Sequence, residues 1–312
     1  MTGPGTHETD GFAGDDDVPI CYMQRTRDYY AAIGYTTAYR WAHHVGAPFQ
    51  PLRKPLTNAR VTIITTAAPH DPGKGDQGPG AAYNGSAKFY RVYDGDTSRA
   101  HDLRISHIAY DRVHTSADDS GTWFPLPALH RAATHGLIGN VAPRFFGAPT
   151  NRSHRATMET DAPDILARCK ADGVDAAVLV PNCPVCHQTV SLVARHLEAN
   201  GISTVVMGCA KDIVEHAAVP RFLFSDFPLG NSAGKPHDIA SQDVTLALAL
   251  RVLESAPAAQ TTVRSPLRWS DDPSWKRDYN NVALLSADEL ARRRREFDEQ
   301  KAAARHVREG VI

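Results

Sequence analysis

Two thiols three positions apart, Cys183 and Cys186, are the residues of this chain best suited to chemistry. A thiolate attacks carbon or sulfur, and a nearby second thiol can release the adduct by forming a disulfide. An apolar run from Asp175 to Pro181 precedes the pair and reads as a buried parallel strand. In the stretch Val190–Leu197 that follows, Val190, Val193, Ala194 and Leu197 mark one helical face. The thiols therefore stand where a strand hands over to a helix. Unpaired backbone N–H groups and the helix dipole favour negative charge there. Cys183 is expected to be the exposed nucleophile, with Cys186 one turn inward as its resolving partner. The structural alternatives are half of a zinc site, or two small core residues. A zinc ribbon would need a second Cys-x-x-Cys, which the sequence lacks.

Other polar residues could join them. Cys209 follows the next apolar run, and strand carboxyl ends line the ligand crevice of open α/β sheets. It is expected either to approach Cys183 or to be a buried small residue. His70 also ends a strand, so its imidazole could take a proton from a thiol, or be an ordinary loop histidine. His107, Asp111 and His114 could share one face of a helix, as a metal-binding trio or a proton-transfer group with an orienting carboxylate; with Cys183 and Cys186, His107 and His114 could be zinc ligands. On a strand they would split between faces. Arg99 and Arg104 could clamp a substrate carboxylate in bidentate fashion, or be solvated surface arginines. Cys21 and Cys169 carry no comparable argument, and Cys169 falls on a helical core pattern.

Composition bounds the setting. A formal charge of −1 over 312 residues recruits neither nucleic acid nor an anionic membrane. Arg292–Arg295 is flanked by Glu289, Glu296, Asp298 and Glu299, so it reads as a solvated helix face. Five irregularly spaced cysteines are not a disulfide framework. With no apparent leader and no membrane-spanning run, a reducing cytoplasm is the expected setting. A homo-oligomer is also expected, with Trp269 and Trp275 packing either a peripheral segment or an oligomer contact.

The elements that must position these residues are an acidic, disordered tail over residues 1–17; an N-terminal α/β half with long loops over 18–160; a βαβ half over 161–255; and a peripheral segment with a charged helix over 256–312. Ala176–Val180, Val190–Ala199 and Ser203–Met207 form the clearest strand–helix–strand unit. Ser286 and Glu289 form a capping box that opens the last helix. The expected fold is α/β, a doubly wound, mostly parallel sheet with flanking helices, with two similar α/β halves as an option.

An ordered set of short motifs carries a family resemblance. It runs through Val61–Ala67, Gly95–Arg99, Ser106–Asp111, Phe124–Leu126, Gly136–Gly139, Gly173–Ala176, Cys183–Cys186 and Phe227–Asn231. In order and content it resembles the selenoprotein B subunits of the glycine, sarcosine, betaine and D-proline reductases, or their cysteine-containing relatives, over roughly residues 22 to 254. The resemblance implies reductive cleavage of a carbon–heteroatom bond by a selenol or thiol. Cys183 matches the selenocysteine position, with Cys186 as its partner. It also implies a dithiol electron donor or an activating subunit.

The expectation is therefore a thiol-dependent reductase cleaving a C–N or C–S bond in a small, polar, amino-acid-derived substrate. No cofactor is assigned, though zinc could be held. The alternatives are a zinc-dependent desulfurase or lyase, a cofactor-independent racemase, and a non-catalytic metal- or sulfur-binding subunit.

Overall fold

A computed structural model describes residues 17–78, 81–150 and 153–310. The tail expected over residues 1–17 thus lies outside the described residues except for Asp17, which pairs with Arg264. The strands are β1 (Arg60–Thr65), β2 (Ala68–Pro69), β3 (Tyr93–Asp96), β4 (Leu103–Arg104), β5 (Asn140–Val141), β6 (Arg144–Gly147), β7 (Ala176–Val180), β8 (Ser203–Gly208), β9 (Arg221–Phe224) and β10 (Thr261–Arg264). The helices are α1 (Tyr22–Ala32), α2 (Leu126–Thr134), α3 (His154–Ala156), α4 (Ala162–Ala171), α5 (Pro184–Ala199), α6 (Lys211–His216), α7 (Ile239–Ser255), α8 (Trp275–Asp278) and α9 (Ala287–Glu309).

Eight strands form one sheet in the order β10-β9-β8-β7-β1-β6-β3, with β5 also beside β1. Every pairing in it is parallel except that of β3 with β6. A separate two-stranded ribbon pairs β2 with β4.

Strand alternation sorts the core onto two faces. Val61, Ile63, Val178, Val205 and Met207 pack with Leu129 of α2 and Leu250 of α7. Ile64, Leu179, Val206 and Phe222 face the other way, against Ile165 of α4 and Val193 of α5. Helices thus cover both faces, as in a doubly wound fold, and the central strands are apolar throughout because neither face meets water.

One buried ion pair fastens the chain leading into β1 onto this layer. Glu198 at the end of α5 and Arg221 at the start of β9 lie 2.6 Å apart, both excluded from solvent. Glu198 also accepts from the backbone of Gln50 and Thr204, and Arg221 stacks 4.2 Å above the Phe49 ring. No helix among the described residues is long and apolar enough to cross a membrane.

Candidate active site

The strand order reverses beside β1. The chain passes from β1 to β6 on one side, then to β7 on the other. Such a switch point opens a crevice at the strands' carboxyl ends. Thr66 leaves β1 and Asn182 leaves β7 there, joined by the Asn182 N–H donating to Thr66 Oγ1 at 3.2 Å. Cys183 comes next, in extended backbone, as the N-cap of α5, with Pro184 at the first helical position. Its Sγ accepts from the Cys186 N–H at 3.3 Å and lies 2.6 Å from Cys186 Sγ. Both are free thiols.

The two sulfurs meet different surroundings. Thr150 Oγ1 donates to Cys186 Sγ at 3.5 Å. His107 lies on the same side: its Nε2 is 3.0 Å from the Thr66 carbonyl, and the ring interacts with Cys186. Burial alone would raise the Cys186 thiol, but the hydrogen bond from Cys183, the charge and hydrogen bond of His107, and the Thr150 hydroxyl hold it well below the usual thiol range. Cys183 moves the opposite way. Burial, then the hydrogen bond and charge of Cys186, raise its thiol, with the Cys186 N–H and the Lys88 charge opposing them. The two thiols thus titrate as a pair: one proton is shared between two sulfurs 2.6 Å apart, and the single negative charge belongs to the pair.

Cys183 forms part of the wall of a cavity of about 570 Å³. His107, Thr150 and Val185 line it nearby, and Tyr30 and Tyr83 also face it. Basic side chains surround it: Lys88, and Lys301, Arg305 and Arg308 from α9, with Asp298 as counter-charge. The expected exposure of Cys183 is corrected here. Its exposure is only 5%, because α1, α9 and the loop before β3 cover the crevice.

The other expected site residues fall in several places. His107 joins the pair. His70 pairs with Asp102 at 3.0 Å beside the β2–β4 ribbon and is absent from the cavity lining. Arg104 pairs with the same Asp102, and Arg99 is exposed beside Asp96, so neither reaches the cavity. Residues 105–119 form turns rather than a helix, so His107, Asp111 and His114 do not share a face. Asp111 instead accepts from His114 Nδ1 at 2.9 Å, orienting His114 and not His107. Among the described residues, the one cluster of donors that could hold a metal is His107, Cys183 and Cys186, without His114. Cys209 does stand at the end of β8, but its sulfur lies in an apolar cluster with Tyr22 and Phe227. Burial pushes that thiol up to about 12. Trp275 belongs to the same cluster and Trp269 packs against Phe227 with ring centroids 5.5 Å apart, so this region seats the peripheral segment.

Sequence reasoning missed His187, Thr150, Lys88 and the contribution of α9. His187 is fully buried one turn into α5. Its Nδ1 is 2.7 Å from the Cys183 carbonyl, and its Nε2 is 2.9 Å from Cys209 N and 3.2 Å from Ala210 N. Burial pushes its pKa down to about 4, so the ring is neutral. The available signal was its position directly after the second cysteine. Thr150 and Lys88 come from distant loops and carry no local signature.

Fold and site together define a doubly wound α/β protein with a paired-thiol centre at its switch point. The chain is 28% identical over 223 residues to the D-proline reductase subunit gamma of Acetoanaerobium sticklandii, covering 70% of this chain and 88% of the relative. It is 25% identical over 214 residues to the glycine reductase complex component B subunit gamma of Symbiobacterium thermophilum, covering 65% of this chain and 48% of the relative. The corresponding subunit of Peptoclostridium acidaminophilum is 25% identical over 223 residues, covering 67% and 47%. The chain thus spans about half the length of these glycine reductase relatives. The resemblance to selenoprotein B-like reductase subunits is borne out. No family model matches the chain, and no solved structure matches it.

Proposed function

We propose that this chain is a thiol-dependent reductase subunit that cleaves a C–N or C–S bond in a small, polar, amino-acid-derived substrate. The observation that carries the reading is the Cys183–Cys186 pair: one sulfur on a cavity wall, the other 2.6 Å behind it beside an imidazole. The relatives' names, all of reductase subunits, support a reductase-related role and an activating partner subunit.

The Cys186 thiolate takes the proton of Cys183. Cys183 then attacks the substrate carbon, and the electron pair of the broken C–N or C–S bond leaves with the heteroatom, which takes a proton from solvent. Cys186 next attacks Cys183 Sγ. The disulfide forms, the electrons of the Cys183–carbon bond return to carbon, and the shared proton ends there. The substrate gains two electrons and the pair is oxidised. A donor dithiol restores both thiols by exchange. A carboxylate next to the reacting carbon would face Lys88, Lys301 and Arg305, which offset its charge.

A zinc-dependent reading draws on the three clustered donors. Two thiolates bound at about 2.3 Å to one tetrahedral zinc stand about 3.8 Å apart, so the sulfurs would have to separate from 2.6 Å. Metal analysis of the purified protein distinguishes the two readings.

The reductase reading is tested by a single turnover. Reduced protein, without a donor, is mixed with small carboxylates bearing C–N or C–S bonds. Product equal in amount to a newly formed Cys183–Cys186 disulfide is expected. Product formed while both thiols stay free, or by Cys183→Ala protein, would contradict it.

A further inference from the structure

We infer that His187 is the positioning residue of the thiol pair, acting through the Cys183 backbone; this rests on the thiol reading above. Its partners fix its tautomer. A carbonyl can only accept, so the hydrogen bond to Cys183 O places the proton on Nδ1. Two backbone N–H groups, those of Cys209 and Ala210, point at Nε2, which must therefore be the bare acceptor. The ring bridges the N-cap residue of α5 to the turn after β8. The Cys183 carbonyl also accepts the His187 backbone N–H at 3.0 Å, so one residue grips it twice. This grip fixes the peptide that carries Cys183 and keeps its sulfur over the Cys186 N–H.

The surroundings are built for this ring. A Cβ at Gly208 would lie 2.8 Å from His187 Cδ2 and 2.9 Å from Nε2, so any larger residue there would displace the imidazole. The Ser191 hydroxyl donates to the His187 carbonyl at 2.7 Å one turn further on. The imidazole does not line the cavity, so its effect on chemistry passes through Cys183.

Two isosteres separate the halves of the bridge. In His187→Asn, the side-chain amide reaches the place of Nδ1 and keeps the donor to Cys183 O. In His187→Gln, the amide oxygen reaches the place of Nε2 and keeps the acceptor for the β8 turn, but the donor is lost. Each full-length variant is reduced and labelled with iodoacetamide at one neutral pH, and the Cys183 rate is read by peptide mass spectrometry, with a thermal melt in parallel. His187→Asn should label within about threefold of wild type and His187→Gln at least tenfold slower. Wild-type labelling by His187→Gln, or equal slowing in both variants, would overturn the inference. Should His187→Gln fail to fold, Gly208→Ala replaces it: slowed labelling is expected, and an unchanged rate overturns the inference. Failure of the underlying thiol reading shows in wild type alone, as a Cys183 no faster than the exposed Cys21.

Discussion

His107 Nε2 lies 3.0 Å from the carbonyl oxygen of Thr66, the first residue beyond β1. A carbonyl only accepts, so this nitrogen carries a proton in either charge state of the ring. The ring lies against Cys186, and its charge and hydrogen bond are among the groups that lower the thiol. In His107→Ala the anion loses this stabiliser, so the pH midpoint of thiolate formation should rise by at least about one unit. Ultraviolet absorbance of the thiolate against pH measures it. An unchanged midpoint would remove His107 from the site.

Asp212 accepts from the Met23 N–H at 2.8 Å and so ties the start of α1 to α6. Burial pushes its carboxyl up to about 6. Folding therefore favours the protonated form. That contribution is complete below the unfolded value near 4 and is lost as pH rises through about 6. Asp212→Asn keeps an acceptor without the charge. At pH 7.5 it should stabilise by about 1–3 kcal/mol, a melting point a few degrees higher. The gain should shrink toward pH 4. A gain independent of pH would show that burial of the charge is not its source.

Breaking the Glu198–Arg221 pair should be costly. Burial pulls both groups toward their neutral forms, raising Glu198 and lowering Arg221, so each depends on the other. Glu198→Ala leaves a buried guanidinium with only carbonyl partners and no counter-charge, and two backbone N–H groups without their acceptor. A loss of about 3–5 kcal/mol is expected from denaturant unfolding. A loss below about 1 kcal/mol would mean that water replaces the carboxylate at no great cost.

Phe297 is the main apolar anchor of α9. It is buried against Tyr30 and Tyr35, with ring centroids 5.5 and 5.1 Å away, and it borders the cavity that reaches Cys183. Phe297→Ala should loosen the helix, raising amide exchange across 287–309 and speeding iodoacetamide labelling of Cys183 several-fold. Faster exchange with unchanged labelling would mean that reagents reach the sulfur by another route.

The sheet centre was legible because its physics is local. Ala176–Val180 is uniformly apolar, as a strand buried on both faces must be, and the helix read over Val190–Ala199 is there, although it begins earlier, at Pro184. The capping box at Ser286 likewise placed α9, where Ser286 Oγ accepts from the Glu289 N–H. What that helix covers was not legible. Its surface is charged on nearly all sides, and only Phe297 and Ala304 are buried. β10 was missed because Thr261–Arg264 is short and half-exposed at the sheet edge. His107, Asp111 and His114 misled because spacings of three and four imply a shared face only on a helix, and here the backbone turns. Thr150 and Lys88 reach the site through tertiary structure alone.

The most direct test of the thiol centre is limited labelling of the reduced wild-type protein with iodoacetamide at neutral pH, with every cysteine mapped by mass spectrometry. Cys183 should be modified ahead of the exposed Cys21, while the buried Cys169 and Cys209, both raised to about 12, stay unlabelled. Modification of Cys21 first, with Cys183 intact, would contradict the account.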